Sequence, residues 1–237
     1  MADHIARAFD AELRDLQRMV SEMGGLAEQQ VSDAVAALSK QDTALARKVI
    51  DLDHRTDVLQ REIEERAVLT IARRQPMAID LRDIVAAMRI SIDLERIGDL
   101  AKNIAKRVVA LGHEARYPTL MRGIETMARL VLVALRQVLD AYVHRDVGQA
   151  LLVWRGDEAI DAANNSLYRS LLICMTEDPR NIGFFTHLLF CAKNIERMGD
   201  HATNIAETVH YMVEGRVLIE ERPKGDTTSL MPAPFST

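Results

Sequence analysis

Eight carboxylates fall in this chain at spacings that suit the binding of a cation. Glu95 and Asp99 stand four residues apart within Glu95-Arg96-Ile97-Gly98-Asp99-Leu100-Ala101-Lys102-Asn103-Ile104-Ala105. That string returns as Glu196-Arg197-Met198-Gly199-Asp200-His201-Ala202-Thr203-Asn204-Ile205-Ala206, with eight of eleven residues identical at a constant offset of 101. Residues four apart on a helix lie on one face, so each copy sets a Glu beside an Asp. A second acidic pair precedes each string, Asp53 with Asp57 and Asp157 with Asp161.

Counting outward from two prolines joins these pairs. Asp57 lies nineteen residues before Pro76 and Glu95 nineteen after it, while Asp53 and Asp99 lie twenty-three before and after. Around Pro179, Asp161 is eighteen before and Glu196 seventeen after, and Asp157 is twenty-two before and Asp200 twenty-one after. In an antiparallel helix pair turning at each proline, four carboxylates meet at one level, to within ~1.5 Å of rise. Two acidic residues on one helix face repel by a few tenths of a kcal/mol, and facing two such pairs adds to the cost. A hard cation offsets it, because carboxylate oxygens suit Mg, Ca, Mn or ferric iron. Asn103 and Asn204, four residues beyond each Asp, would extend the same face with another oxygen donor. The same spacing also fits a solvated acidic face or a surface for a basic partner.

Other chemistry finds less support. His201 adjoins Asp200, but its first-half counterpart is Leu100, so a flanking role is expected. Glu207-Thr208-Val209-His210 matches the Glu-x-x-His pattern of di-iron bundles, which need it on two helices; the counterparts here are Lys106 and Val109. No Ser/His/Asp or Cys/His nucleophile and no phosphate-cradling glycine loop is recognisable. Cys174 and Cys191 lack CxxC spacing and read as buried reduced thiols, and Trp154 reads as a packing residue.

The elements that must position the carboxylates are helices. Apolar residues recur at three- and four-residue spacing from Phe9 through Leu38, which predicts a first helix over residues 5–38 with a possible break at Gly24-Gly25. Asp42 reads as the N-cap of a second helix to about Ala72, and Pro76 as part of the first turn of a third that runs to Leu111. Residues 112–118 form a turn-rich connector. Helices four, five and six follow from about Thr119 to His144, Val147 to Met175, and from the turn at Pro179 onward. The seam of helix three, Ile90, Leu94, Ile97, Ala101, Ile104, Val108 and Leu111, returns in helix six as Cys191, Ile195, Met198, Ala202, Ile205, Val209 and Met212. At 100° per residue Glu95 and Asp99 fall opposite this seam, which predicts accessible carboxylates on the outer face of each bundle.

The expected fold is all-α: two tandem antiparallel three-helix bundles related by a pseudo-twofold repeat, over residues 1–112 and 113–215, with a disordered tail at 216–237. A hydrophobic content of 48% supports a substantial core, and 4% aromatic residues with sparse glycine favour helix over sheet. A net charge of -5 argues against nucleic acid as a partner. The longest purely apolar run, Leu130 to Leu135, cannot cross a bilayer, and the acidic start lacks secretory features, so a cytoplasmic location is expected.

With its duplicated Glu-Arg-(Ile/Met)-Gly-Asp-x-Ala-x-Asn-Ile-Ala signature on tandem three-helix units, the chain resembles the PhoU family of phosphate-signalling proteins from about Ile5 to Gly215. Phe9-Asp10-Ala11-Glu12-Leu13 also looks like that family's opening helix. The resemblance implies a non-enzymatic negative regulator of the phosphate-starvation response. Such a protein couples the ATPase subunit of a phosphate ABC transporter to a sensor histidine kinase, reaches the membrane only through those partners, and forms a homodimer. It also implies divalent or ferric metal ions (Fe, Mn, Mg, Ca or Zn) on Glu95 with Asp99 and on Glu196 with Asp200, joined by Asp53, Asp57, Asp157 and Asp161. A carboxylate-bridged metalloenzyme and a metal-free helical scaffold are the alternatives.

Overall fold

In a computed structural model, which describes residues 2–111 and 117–219, the chain forms six long helices and, among those residues, no strand. They are α1 (Ala2–Lys40), α2 (Thr43–Arg74), α3 (Ile79–Leu111), α4 (Pro118–His144), α5 (Val147–Glu177) and α6 (Ile182–Glu214), with a 3₁₀ turn at Pro179–Asn181 leading into α6. The expected boundary between halves falls within residues 112–116, and the tail beyond residue 219, like that boundary, lies outside the described residues.

The helix ends follow local chemistry. Asp42 caps α2 by accepting from the amides of Ala44 and Leu45, and Asp146 caps α5 by accepting from Gln149 N–H, each supplying an acceptor for otherwise orphaned donors. α6 ends at Gly215, whose φ of 74° is the left-handed conformation that closes a helix. Pro76 departs from expectation. It lies in the connector and not in the first turn of α3, because the residue before a proline is disfavoured from the right-handed helical region. α2 accordingly closes with Gln75 left-handed (φ 49°), and a second left-handed residue, Ala78, redirects the chain into α3. Pro179 does open a helical turn, and Pro118 occupies the first turn of α4, one residue earlier than expected.

α1 passes through Gly24-Gly25 without a break. Gly24 is where α1 meets α4: a Cβ there would lie 2.6 Å from Leu139 Cδ1. The absence of a side chain therefore serves close helix approach, which offsets the helix-propensity cost of ~1 kcal/mol.

Within each half the three helices pack on one another, and the halves join through α3 against α6 and α1 against α4. α3 and α6 run antiparallel: Arg82 donates to the Met212 carbonyl (3.2 Å) near one end, while the Arg107 guanidinium lies over the Phe190 ring (4.3 Å) near the other. Thirteen of the fourteen seam residues predicted for α3 and α6 are buried; only Leu111, at the end of α3, is partly exposed. The core thus runs continuously through both halves, with α3 and α6 at its centre.

Candidate metal centre

In the first half α2 supplies Asp53 and Asp57, and α3 supplies Glu95 and Asp99. The antiparallel pairing brings them together, as the count around Pro76 predicts. Asp53 and Asp99 are bridged by Lys102, one turn beyond Asp99, whose ammonium donates to Asp53 and to Asp99 Oδ1 (2.5 Å). Glu95 feels the charges of both Asp99 and Asp57. Arg96 approaches from solvent, its guanidinium nitrogens 3.5 Å from Glu95 and 3.6 Å from Asp99.

In the second half, Asp157 of α5 lies level with the Gly199–Thr203 turn of α6: the Thr203 hydroxyl donates to Gly199 O (3.1 Å) and faces Asp157 Oδ1 at 3.4 Å. Because the helices are antiparallel, Asp161 one turn further along α5 comes level with Glu196 one turn back on α6. Gly199 makes this approach possible, since a Cβ there would stand 2.9 Å from Ile160 Cδ1 and 3.6 Å from Asp157 Oδ1.

The accessible outer face expected for these groups is corrected by their burial. Asp53 retains 5% of its exposure, Asp157 and Asp161 3% each, and Glu196 5%; Asp57, Glu95, Asp99 and Asp200 are half-buried. The helical-wheel count treated α3 and α6 as surface helices with one apolar stripe. Both are central helices packed on three sides, so the side opposite the seam faces α2 or α5. Among the described residues, no three His, Cys, Asp or Glu side chains converge as a ready-made metal site.

The predicted asparagines do not extend the clusters. Asn103 is exposed, and Asn204 turns its amide to Asp93 across the α3–α6 seam (3.3 Å). His201 Nδ1 meets the same Asp93 oxygen at 2.9 Å, across the seam between α3 and α6. Glu207 accepts from the indole N–H of the buried Trp154 (3.0 Å), and His210 Nδ1 lies 3.1 Å from the Arg216 carbonyl, so the isolated Glu-x-x-His motif is spent on packing. Cys191 is buried, and burial pushes its thiol up to about 12, whereas Cys174 is half-buried, against expectation. Sequence reasoning missed Lys102 and the buried Asn164 and Asn165; two amides inside the apolar stripe of α5 were the available signal for the latter.

Burial is the main cause that holds Asp53 above the ordinary carboxylate range, against the opposing hydrogen bond from Lys102. Burial also raises Glu95, reinforced by the negative charge of Asp99. For Lys102 burial acts to lower the pKa, but the hydrogen bonds from its ammonium to Asp53 and Asp99 outweigh it and the net shift is upward. A carboxyl raised in the folded state binds more protons folded than unfolded, so its contribution is fully present below the unfolded pKa and lost as pH rises through the folded one. Glu95→Gln is therefore expected to stabilise the protein at pH 7 by ~0.3 kcal/mol, the size of a like-charge helix pair. The gain should vanish near pH ~4, where the wild-type carboxyl is already largely protonated, and urea melts at the two pH values measure it.

Two three-helix bundles, each setting two acidic pairs between its second and third helices, define a helical protein class in which the same acidic signature occurs twice. The chain belongs to the PhoU family: the PhoU domain model matches residues 20–108 and again 124–209. It is 56% identical over 228 residues to the phosphate-specific transport system accessory protein PhoU homolog of Rhizobium meliloti, covering 96% of each chain. It is 38% identical over 213 residues to the phosphate-specific transport system accessory protein PhoU of Escherichia coli K12, covering 90% of this chain and 88% of that one. The crystal structure of PhoU from Pseudomonas aeruginosa superposes with a TM-score of 0.84 at 39% identity, covering 88% of this chain and 100% of that chain. The phosphate transport system regulatory protein PhoU of Streptococcus pneumoniae gives 0.83 at 28% identity, covering 89% and 99%.

Proposed function

We propose that this protein is a cytoplasmic, non-enzymatic accessory regulator of a phosphate-specific transport system. It acts as an adaptor between the transporter's ATPase subunit and a sensor histidine kinase, and holds the phosphate-starvation response down when phosphate is plentiful. The observation that carries this reading is 56% identity across 96% of both chains to a relative named as such an accessory protein. No helix among the described residues is long and apolar enough to cross a membrane, in keeping with contact to the transporter through protein surfaces. The α2–α3 hairpin offers one such surface, with Val68, Leu69, Met77 and Ile79 exposed near its tip. The adaptor works as a homodimer.

The second-half carboxylates have the oxygen-donor chemistry of a hard-cation site, with Asp157, Asp161 and Glu196 nearly enclosed, although Lys193 lies 2.8 Å from Glu196 and would have to give way. Asp157, Asp161, Glu196 and Asp200 would hold a divalent or ferric ion there, and the ion would supply positive charge that binds α5 to α6. In the first half the Lys102 ammonium already lies between Asp53 and Asp99, and those residues do not fit a metal ion as they stand. Pull-down of the purified ATPase subunit and of the kinase's cytoplasmic domain by this protein, with and without Mn²⁺, tests the adaptor role. Both partners should be retained, and retention of neither would contradict it.

A further inference from the structure

Arg107, near the end of α3, is held against α6 by groups that do not meet its charge. Three arginines are half-buried among the described residues: Arg74, Arg82 and Arg107. Arg74 donates to both oxygens of Glu12, and Arg82 donates to the Met212 carbonyl. Arg107 instead lies over the Phe190 ring, with its guanidinium carbon 4.3 Å from the centroid, and places Nη1 3.4 Å from His187 Nδ1. Its Nε is buried with no hydrogen-bond partner among the described residues. A guanidinium donates and never accepts, so His187 receives this bond as a neutral ring and brings no negative charge. Donors taken from water without an acceptor carry a cost that an incoming oxygen would remove.

The sequence on either side shows what is missing. Residues Leu100 to Leu111 of α3 and Ile182 to Ile195 of α6, which lie side by side here, include no Asp or Glu but do include Lys102, Lys106, Arg107, His187 and Lys193. Lys102 and Lys193 turn to the carboxylate clusters, while Lys106 is exposed beside Arg107. The chain as a whole has a net charge of -5, so an acid-free seam is a local feature and not a consequence of composition. Phe190 is 45% exposed, which makes ring and guanidinium an open face of the kind proteins dock on. At the repeat offset of 101 Arg107 is matched by Thr208, so the face occurs once in the chain.

We propose that the Arg107–Phe190 face docks an acidic segment of a partner protein, with an Asp or Glu carboxylate accepting from the guanidinium and a neighbouring apolar side chain resting on the ring. Arg and aromatic side chains are the residue types that anchor interface cores. Stacking on Phe190 fixes the plane of the guanidinium before the partner arrives, so less freedom is lost when the carboxylate binds. This inference rests on the adaptor reading given above, whose two partner proteins are the sources of such a segment.

The test measures association and dissociation rates of the full-length protein with the purified ATPase subunit and with the kinase's cytoplasmic domain, and circular dichroism shows that each variant is folded. Arg107→Met, which keeps an apolar stem on the ring, should weaken binding of at least one partner ~30-fold, the size of a hot-spot contact, chiefly through faster dissociation. Arg107→Lys keeps the charge but loses the planar fork and should recover only part of this. Phe190→Ala should weaken the same partner ~10-fold and guards against failure of Arg107→Met to fold. Arg216→Met, which removes a positive charge elsewhere, should leave both affinities unchanged. Unchanged binding of both partners by folded Arg107→Met and Phe190→Ala would overturn the inference and leave the adaptor reading standing. So would a loss confined to the association rate and abolished by salt, which would make Arg107 a steering charge. Displacement of the partner by inorganic phosphate at matched ionic strength would assign the face to a free anion, and a dimer that dissociates in Arg107→Met would seat a second copy there; each overturns the inference. Glu114 lies in the connector outside the described residues, and coupling between Glu114→Gln and Arg107→Met in thermal stability would assign the carboxylate to the same chain, with the same result. A wild type that binds neither partner would sink the adaptor reading and this inference with it.

Discussion

Lys102→Met is expected to lower the stability of the protein by ~3 kcal/mol, the low end of the cost of breaking a buried ion pair by removing one partner. A chain of this length loses ~2–4 °C of melting temperature per kcal/mol, so the midpoint should fall by ~6–12 °C. The loss arises at Asp53, which is nearly enclosed and would keep its charge without the ammonium that stabilises it. Asp53 can escape by taking up a proton. Without Lys102 its folded pKa rises further above the unfolded value, so stability falls as pH climbs through that range and the defect should be larger at pH 8 than at pH 5. Asp53→Asn in the Lys102→Met background removes the stranded charge and should recover most of the loss, a coupling that a double-mutant cycle reads directly. Equal losses at both pH values, or additive effects of the two substitutions, would show that Lys102 contributes by packing of its stem alone.

Phe185→Ala is expected to cost ~4 kcal/mol, the range for truncating a fully buried aromatic side chain. Phe185 has no exposed surface and packs edge-on against Tyr117 (4.8 Å between centroids) and Phe184 (5.9 Å). This cluster ties the start of α6 to the start of α4. The Tyr117 hydroxyl donates to Asp178 (2.8 Å), and the Asn181 amide donates to both, so the polar rim depends on the aromatic centre for its position. The melting temperature should drop by ~8–16 °C. Because the core runs through both halves, thermal unfolding should remain a single transition followed by circular dichroism. A loss near zero would mean that the cavity collapses without penalty.

Much of this architecture is legible in the chain because helix seams repeat. Ile90, Leu94 and Ile97 recur as Cys191, Ile195 and Met198, and an identical period with an identical apolar face leaves little choice of element or register. The level of the carboxylates is legible too, since an antiparallel hairpin converts sequence distance from its turn into height. Their burial is not. A wheel drawn from one helix has no information on how many neighbours that helix meets, and Glu196 reads as outward-facing until α5 is packed against it. The Asp93–His201 contact is hidden for a related reason: it joins α3 to α6 across 108 residues, and no local period specifies which faces of two central helices meet. Lys102 is the instructive case. Its difference from Thr203 is visible in the repeat itself, but a lysine one turn beyond an aspartate ordinarily reads as a solvated surface residue. Only the approach of Asp53 from α2 turns it into the centre of a cluster.

The regulatory role is tested most directly by expression of a phosphate-starvation reporter in cells that lack the gene, grown with plentiful phosphate. High expression that returns to the repressed level when the wild-type gene is restored is the predicted result. A reporter that stays repressed without the gene would contradict the proposed function, whatever metal the protein is found to hold.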